Sequence, residues 1–180
     1  GALDITAGTV SGLAGAQLVV SGATLAFSPA TLTVPLTLTT TTIVGGAVTI
    51  ASGQTLTLLG GGLSDPVSVQ SGGVLLIRGA AALSGALTLP TGAMLRVLGD
   101  NTVGTAALSV ASGFTNSGTI ELTNSGGGSA ASLTVSSGTL TNAPGGLINS
   151  LVSTGGNRTL AAQLDNQGTL NVSQGLTLAR

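Results

Sequence analysis

Hydrophobic and polar positions alternate along much of the chain, in short runs that end at glycine and small polar residues. The apolar-polar-apolar triplets Val48–Ile50 and Val67–Val69 are each followed by a Ser-Gly pair and then by a second alternating run. Alternation with a period of two over a few residues is typical of short, half-buried β-strands. No stretch carries apolar residues at the spacing of a helix face, and so many glycines would destabilise a helix. The pattern predicts an all-β chain.

The same unit recurs along the chain. Its glycines stand at nearly regular intervals that lengthen toward the C-terminus, at Gly53, Gly72, Gly92, Gly113 and Gly138. A second series overlies the later part of the chain, and its members are Asn116 with Gly118, Asn142, and Asn166 with Gly168. Self-similarity of this length is the sequence signature of a repeat architecture in which each unit stacks on its neighbours.

The repeat predicts a parallel β-helix (β-solenoid) of about eight turns of roughly 20–25 residues. Each turn coils once, contributes two or three short strands and pairs in parallel with the turns about 4.8 Å above and below it. Branched aliphatic residues would stack in the interior, while threonine and serine would occupy the outward strand positions.

Glycines and asparagines of both series are predicted to form the corners, because these residues adopt positive φ at least cost. If Asn116, Asn142 and Asn166 align on successive turns, their side-chain amides can form a hydrogen-bonded ladder. In the stretch 115–122, Ile120 and Leu122 are expected to point inward, with Thr119 and Glu121 facing out. The structural corner candidates are Gly53, Gly72, Gly92, Gly113, Asn116, Gly118, Gly138, Asn142, Asn166 and Gly168.

We expect residues 1–180 to form one solenoid segment, with less regular turns over 1–45 and regular turns over 46–180. Residues 31–42, which follow Pro29 and contain Pro35, depart from the spacing and predict a longer turn or an edge loop. Residues 125–129 contain three glycines and predict an insertion in their turn. The chain opens on a strand-like pattern without a signal peptide, which indicates a mature segment or a fragment of a larger repeat protein.

Composition narrows the functional classes. Hydrophobic residues make up 42% of the chain, aromatic residues 1% and charged residues 5%, with a net charge of −1. Such a chain is too apolar and too weakly charged for intrinsic disorder. Four scattered arginines and no lysine cannot track a phosphate backbone, so no nucleic-acid partner is expected. The apolar runs are too short for a membrane-spanning helix.

The residue inventory also limits the chemistry. Without cysteine or histidine there is no thiolate nucleophile and no imidazole ligand or base, and without lysine there is no P-loop. We expect no cofactor and no metal. Among the five acids, Asp100 and Glu121 are separated by about one repeat and could lie on neighbouring turns near Arg78 and Arg96. These four residues are weak ligand-contact candidates.

Glycoside hydrolysis generally requires two carboxylates across a cleft. We interpret the scattered acids as solvated charges that discourage lateral aggregation, and we predict no enzymatic activity. A carbohydrate-active β-helix, of polysaccharide lyase or hydrolase type, remains the alternative. Ice binding is a remote alternative, because Thr-x-Thr pairs occur at 31–33, 37–39, 55–57 and 139–141 but are missing from several turns.

Three stretches, 48–56, 115–120 and 164–170, resemble the degenerate repeats of bacterial autotransporter passengers and filamentous-haemagglutinin-like adhesins. The resemblance implies a right-handed parallel β-helix, export to the extracellular space or the bacterial cell surface, and a structural stalk-like or adhesive role. Its partners would be glycans or host and matrix proteins, bound by outward ladders and by loops such as 29–45 and 124–130. Solenoids usually require terminal caps, so head-to-tail or lateral self-association is also expected.

Overall fold

The computed structural model describes residues 1–5, 10, 12–13, 15–27 and 30–180, so Pro29 lies outside it. The described residues form an all-β parallel solenoid of about eight turns, as predicted. They contain no helix, and therefore none that is long and apolar enough to cross a membrane.

The strands are short and follow one another around three faces of the coil. They are β1 (Ala2–Ile5), β2 (Leu18–Ser21), β3 (Thr24–Phe27), β4 (Ala30–Leu32), β5 (Leu36–Thr39), β6 (Thr41–Val44), β7 (Val48–Ile50), β8 (Thr55–Leu58), β9 (Gly61–Leu63), β10 (Val67–Val69), β11 (Val74–Ile77), β12 (Ala80–Leu83), β13 (Leu87–Thr88), β14 (Met94–Gly99), β15 (Ala106–Val110), β16 (Phe114–Asn116), β17 (Thr119–Asn124), β18 (Ala131–Asn142), β19 (Leu147–Ser150), β20 (Arg158–Asn166), β21 (Thr169–Val172) and β22 (Leu176–Ala179).

Every strand pairs with the equivalent strand one turn away, in parallel. Sheet 1 has the order β1-β3-β6-β9-β12-β15-β18-β20-β22, with β16 also paired to β18. Sheet 2 has the order β2-β5-β8-β11-β14-β17-β19-β21, and sheet 3 has the order β4-β7-β10-β13. An isolated bridge between Leu89 and Asn116 joins the end of sheet 3 to β16. The third face therefore continues into the second halves of β18 and β20.

The core consists of aliphatic columns in which like residues stack on like. On sheet 2, one inward column is aliphatic through all eight strands, because the alternation places the same phase inward on each turn. Its six fully buried members are Leu36, Leu56, Leu75, Leu95, Ile120 and Ile148.

The glycine corners of the middle turns are tight turns. Gly53, Gly72 and Gly92 have φ of 74°, 79° and 79°, a region that glycine adopts without steric cost. They stack on one another: the Gly53 N–H donates to the Gly72 carbonyl at 3.0 Å, and the Gly72 N–H donates to the Gly92 carbonyl at 2.8 Å. Successive turns are thus hydrogen-bonded at the corner as well as along the strands.

The expectation of a longer turn or edge loop over residues 31–42 is wrong. This stretch forms regular strands, and the turn in which Leu18 pairs with Leu36 is slightly shorter than the next, in which Leu36 pairs with Leu56. Pro35 immediately precedes β5, where its missing N–H breaks no ladder bond, and its carbonyl accepts from the Leu18 N–H at 2.9 Å.

The insertion predicted at 125–129 does lengthen its turn. Ile120, which lies before it, pairs with Ile148, so this turn spans more of the chain than the one in which Leu75 pairs with Leu95. The extra residues leave the coil between sheet 2 and sheet 1 without disturbing the register of either sheet.

Candidate functional site

One interior column of the third face is apolar in the earlier turns and polar in the later ones. Leu32, Ile50 and Val69 occupy one inward position on successive turns, and Asn116 enters the same column through its bridge to Leu89. The column then consists only of asparagine, since Asn116 pairs with Asn142 and Asn142 with Asn166.

The asparagines form the amide ladder that the sequence suggested. The Asn116 side-chain amide donates to the Asn142 Oδ1 at 2.8 Å, and Asn142 donates to the Asn166 Oδ1 at 2.7 Å. Asn116 and Asn142 are fully buried, whereas Asn166 is exposed. Their backbones differ from the positive-φ corner expectation, because Thr40 is the only described non-glycine residue with positive φ. They end strands and point inward.

Glycines two residues beyond Asn116 and Asn166 allow close approach between turns. The Gly118 N–H donates to the Asn116 Oδ1 at 3.2 Å, and a Cβ at Gly118 would overlap the carbonyl oxygens of Pro90 and Ala93. A Cβ at Gly168 would similarly overlap the backbone of the turn before it. Neither residue has positive φ, so proximity, and not turn geometry, requires glycine here.

Gly113 and Gly138 stack on one another at the corner between sheets 1 and 3. Gly138 has a φ of 73°, whereas Gly113 is absent from the positive-φ glycines and a Cβ there would overlap the backbone of Thr139. The two positions thus require glycine for different reasons, one for its conformation and one for space.

The four charged candidates form two ion pairs on the outward side of sheet 2. The Arg78 Nε lies 2.7 Å from the Asp100 Oδ2, and the Arg96 Nε lies 2.6 Å from the Glu121 Oε2. Glu121 was expected to face solvent, but Arg96, directly opposite it on the next strand, covers much of its side chain. Asp100 and Glu121 are therefore brought to neighbouring turns but each is engaged by an arginine.

Asp100 has a second role as the anchor of a tight loop. Its Oδ1 accepts hydrogen bonds from the backbone N–H groups of Thr102 at 2.8 Å and Val103 at 2.7 Å. The hydrogen bond from Arg78 holds the pKa of the Asp100 carboxyl below its ordinary value, against the opposing effect of burial, and the two backbone donors lower it further. The side chain is thus an ionised, nearly buried brace.

Three loops project from the same edge of the solenoid, where sheet 2 passes to sheet 1. We call residues 100–105, 125–130 and 151–157 the loop cluster; they follow β14, β17 and β19 on successive turns. None of these residues except the buried Asp100 carries a charge. Loops held on a rigid scaffold are the usual location of binding residues.

Hydrogen bonds from half-buried Ser129 and buried Asn124 join the three loops to one another. The Ser129 hydroxyl donates to the Asp100 carbonyl at 3.0 Å and thereby ties the second loop to the first. The Asn124 amide donates to the Ser129 carbonyl at 3.1 Å and to the Gly155 carbonyl at 2.6 Å, which ties the second loop to the third. Such a network, when satisfied, fixes one conformation.

The third loop is also held from inside by an arginine. Arg158 is fully buried, in a column whose previous members are Ala106 and Ala131. Its Nη1 donates to the carbonyls of Gly155 at 3.1 Å and Gly156 at 2.9 Å, while its Nη2 contacts the Ser153 hydroxyl. Burial lowers the pKa of this guanidinium. No carboxylate among the described residues forms a salt bridge with it.

Exposed apolar side chains single out the loop cluster. Of the large hydrophobic residues that the structure shows exposed, five lie in the first or last turns of the rod. The other two are Val103 and Val152, 37% and 70% exposed, on the first and third loops of the cluster. Between them, the second loop carries Gly126–Gly128 and so presents backbone instead of side chains. Together the loops present an uncharged surface with an apolar residue on the first and on the third loop.

Sequence reasoning placed the second loop among the candidate binding segments but missed its neighbours. In the sequence, Arg158 stands at the start of an alternating run and Asn124 at the end of another. Neither position indicates that the side chain is buried. The available signal was the length of the repeat, which is greater between the paired residues Leu95 and Ile120 than in earlier turns, and greater again between Ile120 and Ile148.

The described part of the chain also shows how the threonine pairs are arranged and whether acidic side chains cluster. Thr37 pairs with Thr57, so the Thr-x-Thr pairs 37–39 and 55–57 are offset by one outward position and do not stack as pairs. No group of three or more Asp, Glu, His or Cys side chains in this part of the chain could hold a metal ion.

Comparison with known proteins returns no match to a protein-family model, a curated protein or a solved structure.

Proposed function

We propose that this chain is a stiff segment of a secreted or surface-attached bacterial repeat protein that holds an adhesive region away from the cell. Parallel turns bonded along three faces give a rod in which each turn supports the next. The resemblance of its repeats to autotransporter passengers and filamentous-haemagglutinin-like adhesins supports an extracellular or cell-surface location.

We further propose that the loop cluster is the adhesive surface of this segment. The observation that carries this proposal is the bracing of three loops, whose exposed residues carry no charge, by buried Asp100, Asn124 and Arg158. Burying polar groups costs stability unless they are hydrogen-bonded, so a buried network that serves to hold loops favours a role for those loops. Exposed Val103 and Val152 suit contact with a protein or with the apolar face of a glycan.

A carbohydrate-active β-helix, the alternative function, gains no support from the positions of the acids. The hydrogen bond from Arg78 disfavours the protonated form of Asp100 that a general acid requires, and the Glu121 carboxylate is engaged by Arg96. The offset of the Thr-x-Thr pairs likewise gives no support to ice binding.

The test is a glycan and matrix-protein binding array probed with the wild-type chain and with the double variant V103S/V152S. We expect at least one ligand to bind the wild type and to lose about tenfold or more in affinity with the double variant. The matched control is L3S/V19S, which removes two exposed aliphatic residues from the first turns of the rod, far from the loop cluster, and should leave binding unchanged. Equal binding by both double variants, or no binding by the wild type, would contradict the proposal.

A further inference from the structure

Strands β18 and β20 do not pair evenly along their length, and the mismatch opens a groove. Thr134 pairs with Ala161, and pairing resumes at Thr139 with Gln163. Residues 135–138 therefore lie opposite the single residue Ala162, so the β18 backbone bulges away from its partner. A bulge of this kind commonly redirects side chains near a functional site.

The groove beneath the bulge has a volume of about 350 Å³, within the range of small-ligand sites. Its polar lining consists of the hydroxyls of Thr134, Ser136 and Ser137, the Gln163 amide and the Arg180 guanidinium. No acidic residue lines it. The Ser137 hydroxyl already donates to the Ala111 carbonyl at 2.7 Å and can therefore only accept from a bound molecule. The other groups can donate hydrogen bonds to its oxygens.

Arg180 differs from the other three arginines in its surroundings. Arg78 and Arg96 are paired with carboxylates, and Arg158 is buried. Arg180 is exposed, and its Nη2 donates to the Gln163 Oε1 at 3.2 Å, which directs the guanidinium along the groove. Among the described residues it forms no salt bridge. A guanidinium that keeps free donors beside neutral hydroxyls and an amide is suited to a carboxylate or sulfate on a polyhydroxylated molecule.

We infer that this groove is a subsite for an acidic saccharide, with the anionic group at Arg180 and sugar hydroxyls on Ser136, Ser137 and Gln163. The inference rests on the proposed adhesive function, for which it names one ligand class. The volume fits one or two sugar units. With no aromatic residue in the lining to stack on a sugar ring, we expect weak binding, with a Kd on the order of 1 mM.

The experiment is an NMR titration of the ¹⁵N-labelled chain with digalacturonate, with its methyl ester, with a sulfated disaccharide and with a Glu-rich peptide. Digalacturonate, the sulfated disaccharide or both should shift the amide signals of Ser136, Ser137 and Gly138, and the uncharged methyl ester should bind about tenfold more weakly. The two anionic arms distinguish a carboxylate from a sulfate ligand. The R180Q variant should weaken anionic binding by about tenfold, and the control Q167A, an exposed residue outside the groove, should not.

Equal binding of the ester, shifts confined to other residues, binding of the peptide alone, or no shift at 10 mM ligand, roughly ten times the expected Kd, would each overturn the inference. Because V103S/V152S leaves the groove intact, that variant should titrate like the wild type. Failure of the groove is thereby separated from failure of the loop cluster.

Discussion

The Asn116 side-chain amide donates a 2.8 Å hydrogen bond to the Asn142 side chain inside the solenoid, where both residues are fully buried. Earlier turns place Ile50 and Val69 in the same column. The Asn142 amide also donates to the carbonyls of Gly146 at 3.3 Å and Thr169 at 3.2 Å, so the ladder holds the adjoining corner. The C-terminal turns therefore exchange apolar burial for a chain of amide hydrogen bonds.

Breaking the ladder in its middle should cost more than breaking it at its end. We expect N142A to lower the free energy of unfolding by about 2 to 3 kcal/mol, because the buried Asn116 amide then loses one of its two acceptors and keeps only the Leu147 carbonyl. N166A, at the exposed position, should cost less than about 1 kcal/mol. Urea denaturation of both variants measures the difference. Equal losses would show that the ladder contributes nothing beyond the individual side chains.

The Asp100 brace should make stability depend on pH in the acidic range. Because the folded-state pKa lies below the ordinary value of 3.8, the stabilisation is complete above that value and is lost as pH falls toward the folded-state pKa. We expect D100N to be less stable than the wild type by about 1 to 3 kcal/mol at pH 6, and the difference to shrink below pH 4. Thermal unfolding of the wild type and of D100N at pH 6 and at a pH below 4 tests this expectation. A difference in stability that is the same at both pH values would contradict it.

Removal of the Arg158 guanidinium should loosen the third loop without unfolding the rod. In R158M the side chain keeps much of its apolar length but gives up its hydrogen bonds to Gly155 and Gly156. Amide hydrogen exchange over residues 151–157 should accelerate about tenfold, while exchange in β11 and β14 stays unchanged. The matched control R96M, a partly exposed arginine, should leave this loop as protected as in the wild type.

Gly118 should tolerate no side chain. An added Cβ would overlap two backbone oxygens of the preceding turn, so we expect G118A to cost more than about 2 kcal/mol. At Gly175 no atom lies within 4 Å of the same added Cβ and φ is not positive, so G175A should be neutral or slightly stabilising. Chemical denaturation of this pair separates crowding between turns from the general effect of replacing glycine.

The period of the sequence was sufficient to predict the solenoid, because alternation determines which residues face inward and glycine marks the tight corners. It was also sufficient to align Asn116, Asn142 and Asn166. It did not predict that these side chains point inward, since an asparagine before a glycine is typical of an exposed corner. Nor could it predict that Arg158 lies inside, because its Nη1 and Nη2 atoms hydrogen-bond to a loop whose path depends on neighbouring turns.

The most direct test of the account is a set of spin-label distances along one outward column of sheet 1. Thr42, Thr134, Ala161 and Ala179 belong to this column, with Thr134, Ala161 and Ala179 on consecutive turns. Label pairs from Thr42 to each of the other three should give backbone distances of about 19, 24 and 29 Å, rising by one strand spacing per turn. Distances that do not increase by about 4.8 Å at each step would contradict the parallel solenoid on which the site and the proposed function both depend.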